Sequence, residues 1–449
     1  MAKFYIETLG CAKNTADSDG IVSVLQNAGY ESSAQPADAD VLIVNTCGFL
    51  QASRAESLNV MRELGERKRD GQLLIAAGCL ISRYGENVKR EVPLVDGVID
   101  AGRWLAMPRF IQHLRGQNGE TDDWFAQSYV NLPADRARVR SVTDVLPRHS
   151  HGPSAYLKIS DGCDRPCTFC IIPAIKGGHR SKHPDDVIRE ARALVAQGVQ
   201  ELVLVAQDTT AYGWDRGQKD SLAPLLDRLA NETDARWIRV MYAYPSHITP
   251  RLIETMARLP QVVNYVDVPL QHAHPETLTR MKRPNAVVTR QMLDDLRRAM
   301  PEIVIRTTFI VGFPGETEEE FSYLLDFVRE QRFDRMGAFE YSREEGTSAY
   351  HLPNQVKAKV KERRRSRLMQ AQQEISLAKN RAWVGRTLDV LLEGAGDGIS
   401  IGRSYRDAPE VDGVVLVKGE QAPGRFVRVG ISDAMEYDLA GEPTDGFKT

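Results

Sequence analysis

The stretch Tyr156-Leu157-Lys158-Ile159-Ser160-Asp161-Gly162-Cys163-Asp164-Arg165-Pro166-Cys167-Thr168-Phe169-Cys170 decides how this chain is read. Residues 156–160 read as a strand, and Gly162 marks the turn that ends it. Three cysteines follow within eight residues, spaced Cys-x3-Cys-x2-Cys. Three thiolates on so tight a loop can hold three irons of a four-iron cluster. The fourth iron then has no protein ligand, which is what chemistry on a bound substrate requires. A structural zinc site takes four protein ligands, commonly as Cys-x2-Cys pairs, and the second pair is missing here. A closed electron-transfer cluster needs a fourth cysteine nearby, and the sequence has none.

Five further strand candidates follow, at 201–206, 237–243, 265–269, 303–311 and 336–341. Helical patterns at 184–197, 222–231, 290–298 and 318–332 lie between them. Six βα units predict a partial (βα)6 barrel, with the functional groups in the loops after its strands. Gln207 and Asp208 close the second strand and are placed to touch cofactor or substrate. Gly312-Phe313-Pro314-Gly315 joins the fifth strand to a helix whose Thr317 and Glu320 form a capping-box pattern. It reads equally as a cofactor contact or as a turn. Lys158 reads as a buried polar group or a structural ion pair. Gln271-His272-Ala273-His274 has the look of a metal site, but loop histidines without metal are commoner.

The three other cysteines fall in the first 80 residues. Strands are predicted at 3–8, 40–45, 72–77 and 97–100, with helices at 18–28, ended by Gly29, and at 53–69. Strand–helix alternation of this kind implies a parallel sheet with helices on its faces. Cys11, Cys47 and Cys79 each follow a strand and sit beside a glycine. Ligands of open α/β sheets bind at the carboxyl ends of the strands, so three such cysteines can converge on one site.

Residues 118–152 are polar and proline-containing and read as a linker. Residues 355–381 form a long basic helical pattern, read as a solvated face linking domains rather than a nucleic-acid surface. Beyond Trp383, short strands punctuated by glycines suggest a small antiparallel β-barrel. The expected organisation is α/β and multidomain: an N-terminal parallel α/β sandwich (1–117), a linker (118–152), a barrel with its linking helix (153–381) and the small barrel (382–449).

The 449 residues are 42% hydrophobic and 27% charged, with a net charge of −3. That is ordinary for a globular chain and argues against a dedicated nucleic-acid binder. No apolar run approaches the roughly 18 residues of a membrane span, and Glu7 interrupts any signal sequence. A cytoplasmic location is expected, where thiols stay reduced and six cysteines point to metal sites rather than disulfides.

The Cys163-to-Cys170 loop after the first barrel strand resembles the radical S-adenosylmethionine superfamily. The resemblance implies that the open iron of a [4Fe-4S] cluster on Cys163, Cys167 and Cys170 binds S-adenosylmethionine and cleaves it to a 5′-deoxyadenosyl radical. Thr8-Leu9-Gly10-Cys11-Ala12-Lys13-Asn14 with Asp17-Ser18, Asn45-Thr46-Cys47-Gly48-Phe49 and Gly78-Cys79-Leu80 are similar to the N-terminal domain of the methylthiotransferases. That likeness implies an auxiliary [4Fe-4S] cluster on Cys11, Cys47 and Cys79, and a C-terminal TRAM domain that recognises the substrate. Gln207, Asp208, Gly312 and Gly315 are the candidate S-adenosylmethionine contacts; no acid or base is assigned.

Within that family, Leu9 to Asn14, Val205-Ala206-Gln207-Asp208-Thr209-Thr210-Ala211-Tyr212-Gly213 and Arg306 to Thr317 look like the branch that modifies a ribosomal protein. The implied product is a methylthio group on the β-carbon of an aspartate in a small-subunit ribosomal protein, the S-twelve protein. The implied electron donor is a flavodoxin or ferredoxin. Residues 383–449 carry seven Lys or Arg against twelve Asp or Glu, a net −5. An RNA-binding barrel should be basic, whereas an acidic one suits a basic protein partner. Transfer RNA as substrate, or a non-catalytic iron–sulfur sensor, are the alternatives.

Overall fold

The computed structural model describes residues 1–116 and 152–444. Of the expected linker 118–152, only Gly152 lies among the described residues.

The first sheet comprises β1 (Lys3–Thr8), β2 (Glu31–Ser32), β3 (Val41–Thr46), β4 (Leu73–Gly78) and β5 (Gly97–Asp100). Its order is β2-β1-β3-β4-β5 and every pair is parallel. β3 is buried along its whole length, as a strand covered on both faces must be. The short edge strand β2 is fully exposed, carries no apolar signal and was absent from the sequence reading. The first helix, Ala12–Asn27, begins six residues earlier than its periodicity suggested. The buried residues of its first turns include Asn14, Asp17 and Ser18, polar groups that mask an amphipathic pattern.

The central sheet comprises β6 (Ser154–Lys158), β9 (Glu201–Val205), β10 (Trp237–Val240), β11 (Val262–Asp267), β12 (Val304–Val311) and β13 (Arg335–Glu340), in strict sequence order and all parallel. A two-residue ribbon, β7 (Ser160–Asp161) with β8 (Arg180–Ser181), brackets the cysteine loop. The six expected barrel strands are all present, and β6 and β13 are the sheet's two edges. Thr317 and Glu320 do form the capping box that starts the helix Glu318–Gln331.

The last five strands, β14 (Thr387–Gly396), β15 (Ile399–Ser404), β16 (Val415–Lys418), β17 (Phe426–Ala434) and β18 (Leu439–Pro443), close into a barrel. Four of its pairs are antiparallel, as expected. The fifth, β16 with β18, is parallel, because β17 intervenes in the chain and closes the barrel on β14.

The helix Ala358–Arg381 joins the central sheet to this barrel, with Leu368, Ala371 and Ile375 buried in the central core. Its basic residues are largely committed to pairing. Arg364 binds Glu316 and Glu318, Arg367 binds Glu318, and Arg365 binds Glu340. Among the described residues, no helix is long and apolar enough to cross a membrane.

The small barrel docks on the inner face of the central sheet through buried charge. Glu201 on β9 accepts from Arg239 of β10 and from Arg403 of β15, both at 2.7 Å. Arg306 of β12 meets Asp412 at 3.3 Å, and Arg335 of β13 pairs with Asp407. The barrel thus turns one basic side chain, Arg403, and two acidic ones, Asp407 and Asp412, inward. Its surface keeps the acidic balance of the sequence.

Candidate functional site

The order β2-β1-β3-β4-β5 reverses between β1 and β3, and such a switch point opens a crevice at the strands' carboxyl ends. Cys11 follows β1, Cys47 follows β3 and Cys79 follows β4, so all three stand at this crevice. The three loops are packed against each other. A Cβ at Gly10 would lie 2.8 Å from Cys47 Cβ, and one at Gly48 would lie 2.6 Å from Leu80 Cα. Gly10 also has φ +101°, a conformation that side chains rarely adopt. Asn14 ties the first two loops by donating to Leu9 O at 2.7 Å and Thr46 O at 3.1 Å, and its Oδ1 faces Cys79 Sγ at 3.7 Å.

The second triad follows β6 directly. Gly162, at φ +76°, lets its loop lie against the carbonyls of Gly177 and Gly178, and Cys163 N donates to Gly177 O at 3.1 Å. Thr168 anchors the loop's middle to Met281 O and Arg280 O. Donors already face the sulfurs: Arg165 N to Cys163 Sγ at 3.4 Å and Arg283 Nη1 to Cys167 Sγ at 3.7 Å.

All six thiols are free. Burial pushes Cys79 and Cys170 up to about 12 and Cys163 up to about 11, and it also raises Cys47. Cys11 differs. Burial opposes its ionisation too, but the Lys13 ammonium and the N–H groups of Asn14 and Lys13 outweigh it and lower the thiol. Buried thiols of this kind are inert until a metal displaces the proton. Among the described residues, no three His, Cys, Asp or Glu side chains close on the point a single metal ion would occupy. A four-iron cluster takes three thiolates on three irons, the donor set that each triad offers.

A buried charge network joins the two triads. Lys158 pairs with Asp17 and, at 3.4 Å, with Asp161; Lys176 meets the same two carboxylates at 3.2 and 3.5 Å. Burial alone would strip Lys176 of its charge, but Asp161, Asp17 and Cys79 hold its pKa well above the usual value. Lys158 is therefore the ion-paired alternative of the sequence reading. Lys176 and Asp161 carried no motif and were missed.

The candidate cofactor residues are distributed as follows. Gln207 donates to Asp161 Oδ1 at 2.9 Å, while its buried Oε1 has no partner among the described residues. Asp208 caps the turn Thr209–Ala211 through Oδ1 and faces His247 Nδ1 at 3.1 Å through Oδ2. With Arg165, His179 and Trp214 it lines a cavity of about 140 Å³ beside Cys163. Gly312 and Gly315 form a turn closed by the chain itself. Glu316 accepts from Gly312 N at 2.5 Å and Phe313 N at 3.1 Å, and Gly315 N donates to Asn354 O at 2.9 Å. The histidines are structural: His272 Nδ1 accepts from His274 N, and His274 caps the helix Pro275–Met281.

Comparison with known proteins agrees with this geometry. Family models match in succession: uncharacterized protein family UPF0004 at residues 3–100, the radical SAM superfamily at 157–328 and the TRAM domain at 384–443. A cobalamin-binding radical S-adenosylmethionine methyltransferase of known structure, TsrM from Kitasatospora setae, covers 92% of this chain and 82% of its own. It does so with a TM-score of 0.56 at 14% identity, a likeness of fold alone. The fold and the second cysteine loop thus define a radical S-adenosylmethionine protein. Relatives named ribosomal protein uS12 methylthiotransferase RimO are 49% identical in Roseiflexus sp. (strain RS-1), over 98% of this chain and 97% of that one, and 45% identical in Thermoanaerobacter sp. (strain X514), over 97% and 99%. The chain belongs to the ribosomal protein uS12 methylthiotransferase RimO family.

Proposed function

We propose that this enzyme inserts a methylthio group at the β-carbon of an aspartate of ribosomal protein uS12. The observation that carries the reading is the pair of cysteine triads, each at the carboxyl end of a parallel sheet and joined by the network of Asp17, Lys158, Asp161 and Lys176. Cys163, Cys167 and Cys170 hold one [4Fe-4S] cluster, and Cys11, Cys47 and Cys79 hold the other. When bound, the first supplies the electron that cleaves S-adenosylmethionine, and the second presents the sulfur. Gln207 Oε1, buried and unpartnered among the described residues, suits a donor such as the cofactor's ammonium group. The backbone N–H of Arg165 and the guanidinium of Arg283 stabilise the thiolates they face.

The division is 1–117, 118–152, 153–381 and 382–449. The last unit, acidic at its surface, docks the basic substrate. A flavodoxin or ferredoxin delivers the electrons, and the reaction takes place in the cytoplasm, with the ribosome.

The test offers anaerobically reconstituted protein, S-adenosylmethionine, reductant and sulfide to small ribosomal subunits and unmodified transfer RNA together. Methylthio mass on uS12 is expected. Mass on the RNA alone would overturn the substrate, and cluster spectra without any 5′-deoxyadenosine would favour a sensor.

A further inference from the structure

Lys13 stands two residues after Cys11 and, among the described residues, makes no ion pair with a carboxylate. Lys158 and Lys176 are each shared by Asp17 and Asp161. Lys13, in the first turn of the helix Ala12–Asn27, instead sets its Nζ 3.5 Å from the ring centroid of Tyr242, just past the carboxyl end of β10. Among the described residues, no Asp or Glu forms an ion pair with it. The carboxylate that helps to hold its charge, Asp267, makes its hydrogen bonds elsewhere: Oδ1 accepts from Arg306 at 2.8 Å and Oδ2 from Tyr242 N at 3.1 Å. Tyr242 itself is held at φ +58°, a costly conformation for an aromatic residue, and strain of this kind clusters at ligand clamps. Burial works against the charge of Lys13, and Cys11, Tyr242 and Asp267 hold it without a direct carboxylate contact; an ammonium so placed on an aromatic face can take an anionic group directly.

We propose that Lys13 is a specificity-determining residue that binds the side-chain carboxylate of the residue to be modified. The assignment rests on the uS12 reading above. The carbon that loses hydrogen in that reaction bears a carboxylate, and Lys13 stands where the first crevice meets the ends of the central strands. It holds that carboxylate while the neighbouring C–H faces the second triad. An adenosine offers no carboxylate at this point. The same lysine therefore accepts an aspartate and leaves a nucleoside base with a buried charge unpaired, which selects as strongly by rejection as by attraction. The competing role, a counter-ion to the thiolates of Cys11 and Cys79, predicts different behaviour.

The experiment compares wild type, Lys13→Gln and Lys13→Arg as full-length reconstituted proteins. Each is offered uS12 with its target aspartate and uS12 with asparagine there. Iron content, visible absorption and 5′-deoxyadenosine formation are read beside methylthiolation. Lys13→Gln is expected to keep both clusters and cofactor cleavage, and to lose about 100-fold in kcat/KM on the aspartate substrate. Its preference for aspartate over asparagine should collapse to a few-fold, and Lys13→Arg should restore part of it. The assignment is overturned if Lys13→Gln retains the aspartate preference, or if it loses the iron of the first triad. A wild-type enzyme that cleaves the cofactor yet modifies neither uS12 form would instead remove the substrate reading on which the assignment rests.

Discussion

Lys158 on β6 and Asp17 in the helix Ala12–Asn27 form an ion pair across the junction of the two parallel sheets, with side chains only 1% and 5% exposed. The pair is one of the links between the unit that carries Cys11 and the strand that leads into Cys163. Removing Lys158 leaves two buried carboxylates, Asp17 and Asp161, to share the single ammonium of Lys176. Lys158→Met should therefore cost about 3–5 kcal/mol, seen as a lower denaturant midpoint. A Lys158→Met/Asp17→Leu double variant should recover part of the loss, because the surplus carboxylate is gone. A single variant with wild-type stability would show that the junction does not depend on this pair.

The two triads should separate by readout. Alanine at Cys163, Cys167 or Cys170 should abolish 5′-deoxyadenosine formation. Alanine at Cys11, Cys47 or Cys79 should leave cofactor cleavage and abolish methylthiolation. Chromatography of the nucleoside beside mass spectrometry of uS12 checks both arms. Cleavage by the Cys163 variant would reverse the assigned roles.

Gly10→Ala tests how tightly the first crevice is built. The new Cβ would sit 2.8 Å from Cys47 Cβ in a conformation that disfavours a side chain. The first triad should be displaced and the second untouched. Reconstituted iron should fall from about eight to about four per chain, with S-adenosylmethionine cleavage kept. Full iron loading would mean that the loops give way easily.

Glu201 sets an acid limit on the docking of the small barrel. Burial would raise its carboxyl, but Arg239 and Arg403 outweigh burial and bring it to about 2. Its folded pKa is thus depressed below the ordinary value of 4.5, so its contribution is complete above pH 4.5. The contribution is lost as the pH falls from 4.5 toward 2, and amounts to about 3 kcal/mol. Stability measured across that window should fall more steeply for wild type than for Glu201→Gln. The variant should already be weaker at pH 7, because Arg239 loses its carboxylate partner and Arg403 keeps only Glu393. Parallel pH profiles would refute the assignment.

Much of the architecture could be read from local pattern. The buried strands β3 and β9 are runs of apolar residues, and the capping box at Thr317 announces its helix through side chains three positions apart. β2 could not be read, since two exposed residues leave no periodic trace. The parallel pairing of β16 with β18 is set by closure of the barrel, which no local pattern records. The start of the helix Ala12–Asn27 was hidden because Asn14, Asp17 and Ser18 are buried for their hydrogen bonds and charge rather than their hydrophobicity.

The chemistry divides along the same line. Six cysteines, their spacing and the glycines beside them are short-range facts, and the sequence alone pointed to two open cluster sites and to the family. For Gly312 and Gly315 the structure adds that Glu316 accepts from the turn's backbone and is itself bound by Arg364. The pairing of Lys158 with Asp17, separated by 141 positions, and the position of Lys13 on Tyr242 were decided only by tertiary structure. A charge's partner depends on which surfaces meet, and that meeting is set by the packing of whole sheets, not by neighbours along the chain.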